Sequence, residues 1–109
     1  MDQTRPLARV TFLGAPAEPL ADPLAAAQAL EEGGWLCLAA EALGGAQEAL
    51  DRTVAFAKER IQFGRAIGSN QGIQFPIARA YVQMTAAALV VADAAAKFEA
   101  GQPCGTEAN

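Results

Sequence analysis

Apolar residues recur at helical spacing along two long stretches of the chain, and a short glycine-containing segment separates the two. In the first stretch two sets recur at seven-residue steps: Leu36, Leu43, Leu50 and Ala57, and Ala40, Gln47, Val54 and Ile61. In the second stretch the steps are three and four residues: Ile73, Ile77, Ala80, Met84, Ala88, Val91, Ala95 and Phe98. Each pattern places its apolar residues on one face of a helix. The sequence therefore predicts two long amphipathic helices.

The first helix has clear start signals and unfavourable residues in its interior. Asp22 suits the N-cap, and Pro23 suits the first helical position, where its missing N–H costs little. Gly33 and Gly34 each cost about 1 kcal/mol relative to alanine in a helix interior, so a kink or a frayed first third is expected. For Gly44-Gly45 we expect the close approach of another backbone.

The second helix is predicted over about residues 70–100. Gly64 and Gly68 end the first helix and open the turn, and Ser69 or Asn70 caps the next helix. Pro76 removes one backbone hydrogen bond and can kink the helix, which leaves two alternatives for its start, at Asn70 or near Phe75.

The remaining segments carry little pattern. Residues 1–22 contain three prolines and Gly14, so we interpret them as an arm or linker with at most one short strand at about Arg9–Leu13. Residues 102–109 are expected to be a disordered tail. The predicted fold class is thus all-α, with an antiparallel helical hairpin at 23–101. A hairpin buries only one stripe of each helix, so we expect self-association to complete a four-helix bundle.

Composition excludes several classes of function. The 109 residues suffice for one small domain, and the 52% apolar fraction is inflated by alanine. A net charge of −4 and the absence of a basic patch argue against nucleic-acid binding. The chain has no histidine and no paired cysteine spacing, which argues against a zinc site. We interpret Cys37 as a small buried apolar residue, and Cys104 as part of the tail.

Targeting signals are also lacking. We find no signal peptide, and Glu, Asp, Gln or Arg interrupts each apolar run before the ~20 residues that a membrane span needs. The expectation is a soluble, cytoplasmic protein that does not bind a membrane.

Three polar and aromatic side chains flank the break between the helices. Arg60 can hold an anionic oxygen with two donors, Phe63 can present a ring face, and Gln71 offers a donor and an acceptor. These groups suit a phosphorylated, aromatic ligand. A structural role is the alternative, in which Arg60 favours the helix dipole, Phe63 fills a corner and Gln71 faces water. Glu41 could be a base with a raised pKa, but a solvated carboxylate is the favoured interpretation.

The order of residues around this break carries a family resemblance. Arg60-Ile-Gln-Phe-Gly-Arg-Ala-Ile-Gly68, followed by Asn70-Gln-Gly-Ile-Gln-Phe75, resembles the helix-to-helix connection in the C-terminal domain of acyl-CoA dehydrogenases. The resemblance extends back through residues 39–51 and forward to about Gly101. The run Leu7–Phe12 also resembles the last strand of the middle β-domain of that family.

The resemblance implies a cofactor, an assembly and a reaction. In the family, the positions that match Arg60, Phe63 and Gln71 contact the pyrophosphate and adenine end of FAD held by a neighbouring subunit. The implied FAD-binding candidates are Arg60, Gln62, Phe63, Asn70 and Gln71. The implied reaction is the α,β-dehydrogenation of acyl-CoA thioesters, carried out by dimers or tetramers.

No residue of the chain matches the catalytic base of that family. The usual glutamate corresponds to a position after Asn109, and the position used by a minority of members aligns with Gly34. Glu31 and Glu32 point to other sides of the helix. Two hypotheses follow: a fragment or short relative that contributes FAD contacts and is inactive alone, or a non-catalytic assembly module or partner subunit. An unrelated alanine-rich hairpin is a third alternative.

Overall fold

A computed structural model of the chain describes residue 4 and residues 7–108. The elements are α1 (Pro23–Glu59), β1 (Ile61–Gln62), β2 (Arg65–Ala66), a 3-10 turn (Ile67–Ser69), α2 (Gln71–Glu99) and α3 (Gly105–Ala108). Gly33, early in α1, lies against Phe98 at the end of α2, and Ala57, late in α1, lies against Gly68 just before α2. The two long helices are therefore antiparallel, and the predicted all-α hairpin is confirmed.

The start of α1 is the one that the sequence predicts. Asp22 Oδ1 accepts a hydrogen bond from the N–H of Ala25 at 3.0 Å, and Pro23 is the first helical residue. The helix continues through Gly33-Gly34 without a break. A Cβ on Gly33 would stand 3.2 Å from the Phe98 ring, so this glycine makes room for an aromatic side chain of α2.

The structure decides between the two predicted starts of the second helix, at Asn70 or near Phe75. The helix begins at Gln71 and contains Pro76. Asn70 is the N-cap, but it acts through its backbone: its carbonyl oxygen accepts the N–H groups of Ile73 at 2.9 Å and Gln74 at 3.0 Å. The side chain of Asn70 is thereby available for other contacts.

The core of the hairpin is thin. Five apolar residues are buried in the described part of the chain: Leu50, Ala57, Ala94, Cys104 and Ala108. The first predicted stripe of α1 faces α2, with Leu36 and Leu43 half-buried in addition. Of the second stripe only Val54 is half-buried, because the other members lie beside the helix contact or, like Ile61, in β1. The predicted stripe of α2 is mostly half-buried, but Ala94 outside that stripe is its one buried residue.

A second apolar stripe runs along the outer face of α2. Phe75, Val82 and Leu89 follow one another at seven-residue steps and are 64%, 66% and 69% exposed. By length and composition α2 is apolar enough to cross a membrane, although charged and polar residues interrupt its apolar runs as the sequence indicated. One such helix is weak evidence for a membrane span. A helix that is apolar on two faces is equally suited to the interior of a helical bundle.

Several expectations fail in the contacts within this chain. Nothing lies within 4 Å of a Cβ built on Gly44 or Gly45, so the predicted close backbone approach does not occur here. Cys37 is exposed rather than buried, since its side of α1 does not face α2. Residues 7–21 form no strand, which is compatible with the expectation of at most one short strand in the arm.

The tail differs from its prediction as well. We expected residues 102–109 to be disordered, but residues 101–108 turn back onto the hairpin and end in α3. Cys104 and Ala108 are buried against Ala94, with Trp35 and Leu36 packed around them. The apolar side chains that order this segment are small, which is why composition did not reveal them. At the other end of the chain, the N-terminal arm at residues 1–22 includes residues outside the described part.

Candidate functional site

The connection between α1 and α2 is a miniature β-hairpin. Ile61 pairs with Ala66 and Gln62 with Arg65, in antiparallel register. The two loop residues, Phe63 and Gly64, have φ values of 52° and 80°. Positive φ at both positions is characteristic of a type I′ turn, which matches the twist of two antiparallel strands. The sequence predicted a turn at this point, and the structure shows that the turn is a two-stranded β-hairpin.

Phe63 lies at the tip of this hairpin in an unfavourable backbone conformation. A bulky residue with a φ of 52° is uncommon, and such a conformation costs on the order of 1–3 kcal/mol. The ring is fully exposed, so no burial within the chain offsets that cost. The interpretation that Phe63 fills a helical corner is wrong. The geometry instead presents an aromatic face to something outside the hairpin.

Arg60 ends α1 next to this ring. It is the C-cap residue, and its N–H donates to the Phe56 carbonyl oxygen at 2.9 Å. Its own carbonyl oxygen accepts the N–H of Ile67 at 2.9 Å, which closes the hairpin onto the helix. Among the described residues its guanidinium contacts no hydrogen-bond or ion-pair partner. The backbone of Arg60 is thus fixed while its charge remains available to a ligand.

Asn70 makes two side-chain hydrogen bonds within the connection, and its predicted ligand contact stays a prediction. Its Oδ1 accepts a hydrogen bond from Arg65 Nη2 at 2.6 Å, and its Nδ2 donates to the Ile67 carbonyl oxygen at 3.1 Å. Both ends of the amide are therefore engaged by the connection itself. Asn70 joins β2 to the start of α2, which makes it a positioning residue.

Gln62 and Gln71 remain exposed on either side of the connection. Gln62 pairs with Arg65 in the ladder, and Gln71 is the first residue of α2. The first turn of a helix carries unpaired N–H groups and partial positive charge. Gln71 therefore adds its amide to an end of α2 that favours anions.

Two residues of the connection were missed by the sequence analysis. Arg65 holds Asn70, and Gln74 donates from Nε2 to the Gly68 carbonyl oxygen at 2.8 Å. Their roles depend on the hairpin, and the sequence does not announce the hairpin because Phe63-Gly64 is not one of the dipeptides typical of a type I′ turn. The spacing of Arg65 and Asn70 acquires meaning only once the hairpin is known.

The connection is basic although the chain is acidic. Lys58, Arg60 and Arg65 are three of the eight basic residues of a chain with net charge −4. Ligands that carry phosphate groups would find here a guanidinium, a helix N-terminus and an exposed ring within one short segment. In the part of the chain described, no cluster of His, Cys, Asp or Glu could hold a metal ion.

Glu31 and Glu32, the two carboxylates nearest to Gly34 in the sequence, both lie away from the connection. Glu31 is exposed at the other end of the hairpin, and Glu32 binds the backbone N–H of Cys104 there. Gly34 has no side chain. The family resemblance aligns it with the position that carries the base in a minority of members. The structure does not test the prediction that no residue of this chain can be assigned as the catalytic base, so it stays a prediction.

Comparison with known proteins identifies the family. A family profile described as "Acyl-CoA dehydrogenase, C-terminal domain" matches residues 24–109. The acyl-CoA dehydrogenase IpdE2 of Mycobacterium tuberculosis is 42% identical over 94 residues, which are 86% of this chain and 28% of that protein. An acyl-CoA dehydrogenase of Bacillus subtilis is 45% identical over 76 residues, which are 70% of this chain and 20% of that protein.

A solved structure shares the fold. Butyryl-CoA dehydrogenase from Megasphaera elsdenii superposes with a TM-score of 0.68 at 39% sequence identity, over 71% of this chain and 20% of that one. This chain thus spans between a fifth and a third of the length of these relatives. Because the profile covers most of the chain and includes both long helices, the chain belongs to the acyl-CoA dehydrogenase family and matches its C-terminal domain.

Proposed function

We propose that this chain supplies the FAD-contacting connection and the assembling helices of an acyl-CoA dehydrogenase. The reaction of the complete enzyme would be the α,β-dehydrogenation of an acyl-CoA thioester. The observation that carries the proposal is Phe63, whose ring is fully exposed on a strained backbone three residues after Arg60. Family membership supports FAD as the ligand of this arrangement.

The residues of the connection fit the adenine and pyrophosphate end of FAD. Arg60 would bind a pyrophosphate oxygen with two donors, and Gln71 would add an amide hydrogen bond at the positive end of α2. The Phe63 ring would pack against the adenine. Gln62 lies on the same hairpin and would contact the nucleotide from its edge, whereas Asn70 would hold the connection in shape. When bound, FAD would accept the hydride from the substrate.

The contact would be made across a subunit boundary. The Phe63 ring points away from both helices of its own chain, so a nucleotide against it would be held mainly by another part of the assembly. The chain alone would be inactive, because none of its residues matches the catalytic base of the family. Acyl-CoA would bind only to the complete enzyme.

The helices would complete their core by association. Two antiparallel helices leave the outer stripe of α2 in water, and burying a large apolar side chain contributes about 1.5–3 kcal/mol. Two hairpins facing each other would form a four-helix core. We propose a dimer or tetramer as the assembled form.

A non-catalytic assembly module or partner subunit is the second candidate. It is favoured by the same exposed apolar surface together with the lack of an assignable base. This candidate needs the helices but not the exposed groups of Arg60 and Phe63, and that difference allows an experiment to separate the two.

The experiment is a graft into a related flavoenzyme. Residues 58–82 of this chain would replace the matching residues of the Bacillus subtilis acyl-CoA dehydrogenase, and flavin per protomer would be measured after purification. We expect the graft to retain flavin, and Arg60→Ala or Phe63→Ala within it to lose about tenfold or more in flavin affinity. Arg79→Ala, which removes an exposed arginine farther along α2, is the matched control.

Equal flavin content in all four proteins would contradict the assignment of Arg60 and Phe63. An assembled but flavin-free graft would favour the assembly module instead.

A further inference from the structure

The open end of the hairpin, opposite the connection, is closed by the segment Gly101–Ala108. Gly101 has a φ of 66°, which lets the chain reverse direction after α2. The N–H of Gln102 donates to the Lys97 carbonyl oxygen at 2.9 Å and secures this turn. Cys104 and Ala108 are then buried between the two long helices. We call residues 101–108 the closing segment.

Glu32 of α1 holds the closing segment from one side. Its Oε2 accepts the backbone N–H of Cys104 at 3.3 Å and lies 3.6 Å from the Cys104 Sγ. A Cβ on Gly105 would stand 3.4 Å from Glu32 Oε1 and from the Trp35 ring, so the glycine lets the segment lie directly on this carboxylate. Cys104 comes from a position 72 residues later in the chain, which makes this a tertiary contact.

Lys97 of α2 holds the closing segment from the other side. Its Nζ contacts Glu107 Oε1 at 2.6 Å and Asp93 Oδ2 at 2.9 Å. Both Lys97 and Glu107 are only about a third exposed. Each long helix therefore contributes one charged side chain to the same short segment.

The titratable groups around Cys104 are Glu32 from α1, Asp93 and Lys97 from α2, and Glu107 from α3. Glu107 and Asp93 contact the ammonium group of Lys97, and Glu32 contacts the Cys104 thiol. Burial and the hydrogen bond to Glu32 raise the pKa of the Cys104 thiol, so the neutral S–H donor is favoured.

We propose that Glu32, Lys97, Cys104 and Glu107 form a latch that docks the closing segment on the hairpin and shields the Cys104 thiol while it is closed. Glu32 is the positioning residue of the latch, because it binds the segment through both the backbone and the side chain of Cys104. The latch does not depend on flavin binding. The rate at which the Cys104 thiol reacts with a reagent in solution therefore reports whether the closing segment is docked.

The chain provides its own internal standard for the test, since Cys37 is exposed and Cys104 is buried. The purified full chain would be labelled with a maleimide, and the rate at each cysteine would be followed by peptide mass spectrometry. We expect Cys37 to react fast and Cys104 slowly in the unchanged protein. In Glu32→Ala the Cys104 rate should rise on the order of tenfold, because a charged hydrogen-bond acceptor is lost, while the Cys37 rate stays the same.

Glu31→Ala is the matched control, since Glu31 is the exposed neighbour of Glu32 and should leave both rates unchanged. If Glu32→Ala loses helicity, Glu107→Gln replaces it, because this change removes one charge from the latch at the surface. Glu107→Gln is expected to raise the Cys104 rate alone. An unchanged Cys104 rate in both variants, or a Cys104 rate equal to that of Cys37 in the unchanged protein, would overturn the proposal.

Discussion

Gly68 lies so close to Ala57 that a Cβ on Gly68 would stand 2.9 Å from the Ala57 carbonyl oxygen. Ala57 is itself buried at the end of α1. The 3-10 turn therefore rests directly on the backbone of the first helix. This contact fixes the direction in which the connection leaves α1, and with it the position of Arg60 and Phe63.

A methyl group at Gly68 should disturb this contact. The obstructing atom in Gly68→Ala is a backbone oxygen that cannot rotate away, so we expect the free energy of unfolding to fall by about 1–3 kcal/mol. Gly72→Ala is the control, because nothing lies within 4 Å of its new Cβ and alanine favours a helix. Urea unfolding followed by circular dichroism checks both variants. The packing argument fails if Gly68→Ala is as stable as the unchanged chain.

Phe63 should show opposite effects on stability and on ligand binding. In Phe63→Gly the positive φ becomes unstrained, so we expect the chain to gain roughly 1 kcal/mol of stability. The same change in the grafted flavoenzyme should reduce flavin retention, because the ring is lost. Phe63→Ala removes the ring but keeps the strain, which separates the two effects. A less stable Phe63→Gly chain would mean that the exposed ring contributes to folding.

The latch should make stability depend on pH at both extremes. The hydrogen bond from Lys97 lowers the pKa of Glu107 below its ordinary value, so this stabilisation is present above the ordinary carboxyl range and is lost as pH falls through the folded-state pKa. The hydrogen bonds to Glu107 and Asp93 raise the pKa of Lys97, so its contribution is lost only as pH rises through that raised value.

The Cys104 thiol, like Lys97, contributes stability that is lost at alkaline pH. Its raised pKa means that the folded state favours the neutral thiol, and that stability disappears as the thiol ionises. Thermal unfolding at a series of pH values measures the loss of stability at acid pH and at alkaline pH, which we call the acid limb and the alkaline limb. We expect Glu107→Gln to flatten the acid limb, and Cys104→Ala to remove part of the alkaline limb. Superimposable pH profiles of all three proteins would exclude the latch as a source of pH dependence.

The sequence predicted the long elements and their faces because local signals determine them. Asp22 and Pro23 mark the start of α1, and the seven-residue steps through Leu50 and Ala57 mark the face that α2 covers. The site residues Arg60, Phe63 and Gln71 were found through their chemistry and the family resemblance. Their roles as ligands remain proposals.

The features that sequence reasoning missed depend on contacts between distant segments. Cys37 and Cys104 exchanged their expected environments because the closing segment finds small apolar partners on α1 and α2. The positive φ of Phe63 follows from the register of a two-residue loop. The hydrogen bond between Arg65 and Asn70 was also missed, because only the folded hairpin brings the two side chains within reach.

The outer stripe of α2 should control association. Leu89→Lys places a charge at one end of the stripe formed by Phe75, Val82 and Leu89, so we expect the dissociation constant of the assembly to rise about tenfold or more. Gln83→Lys is the control, because it adds the same charge at a polar position of α2 outside the stripe. Sedimentation velocity over a concentration series would compare the two. Identical profiles would place the interface elsewhere.

The claim that this hairpin is half of a helical core is tested most directly by its mass in solution. Light scattering of the purified chain at low micromolar concentration, with circular dichroism on the same sample, would measure size and helicity together. We predict a helical species of at least twice the 11.3 kDa of one chain. A stable, fully helical monomer at that concentration would contradict the claim.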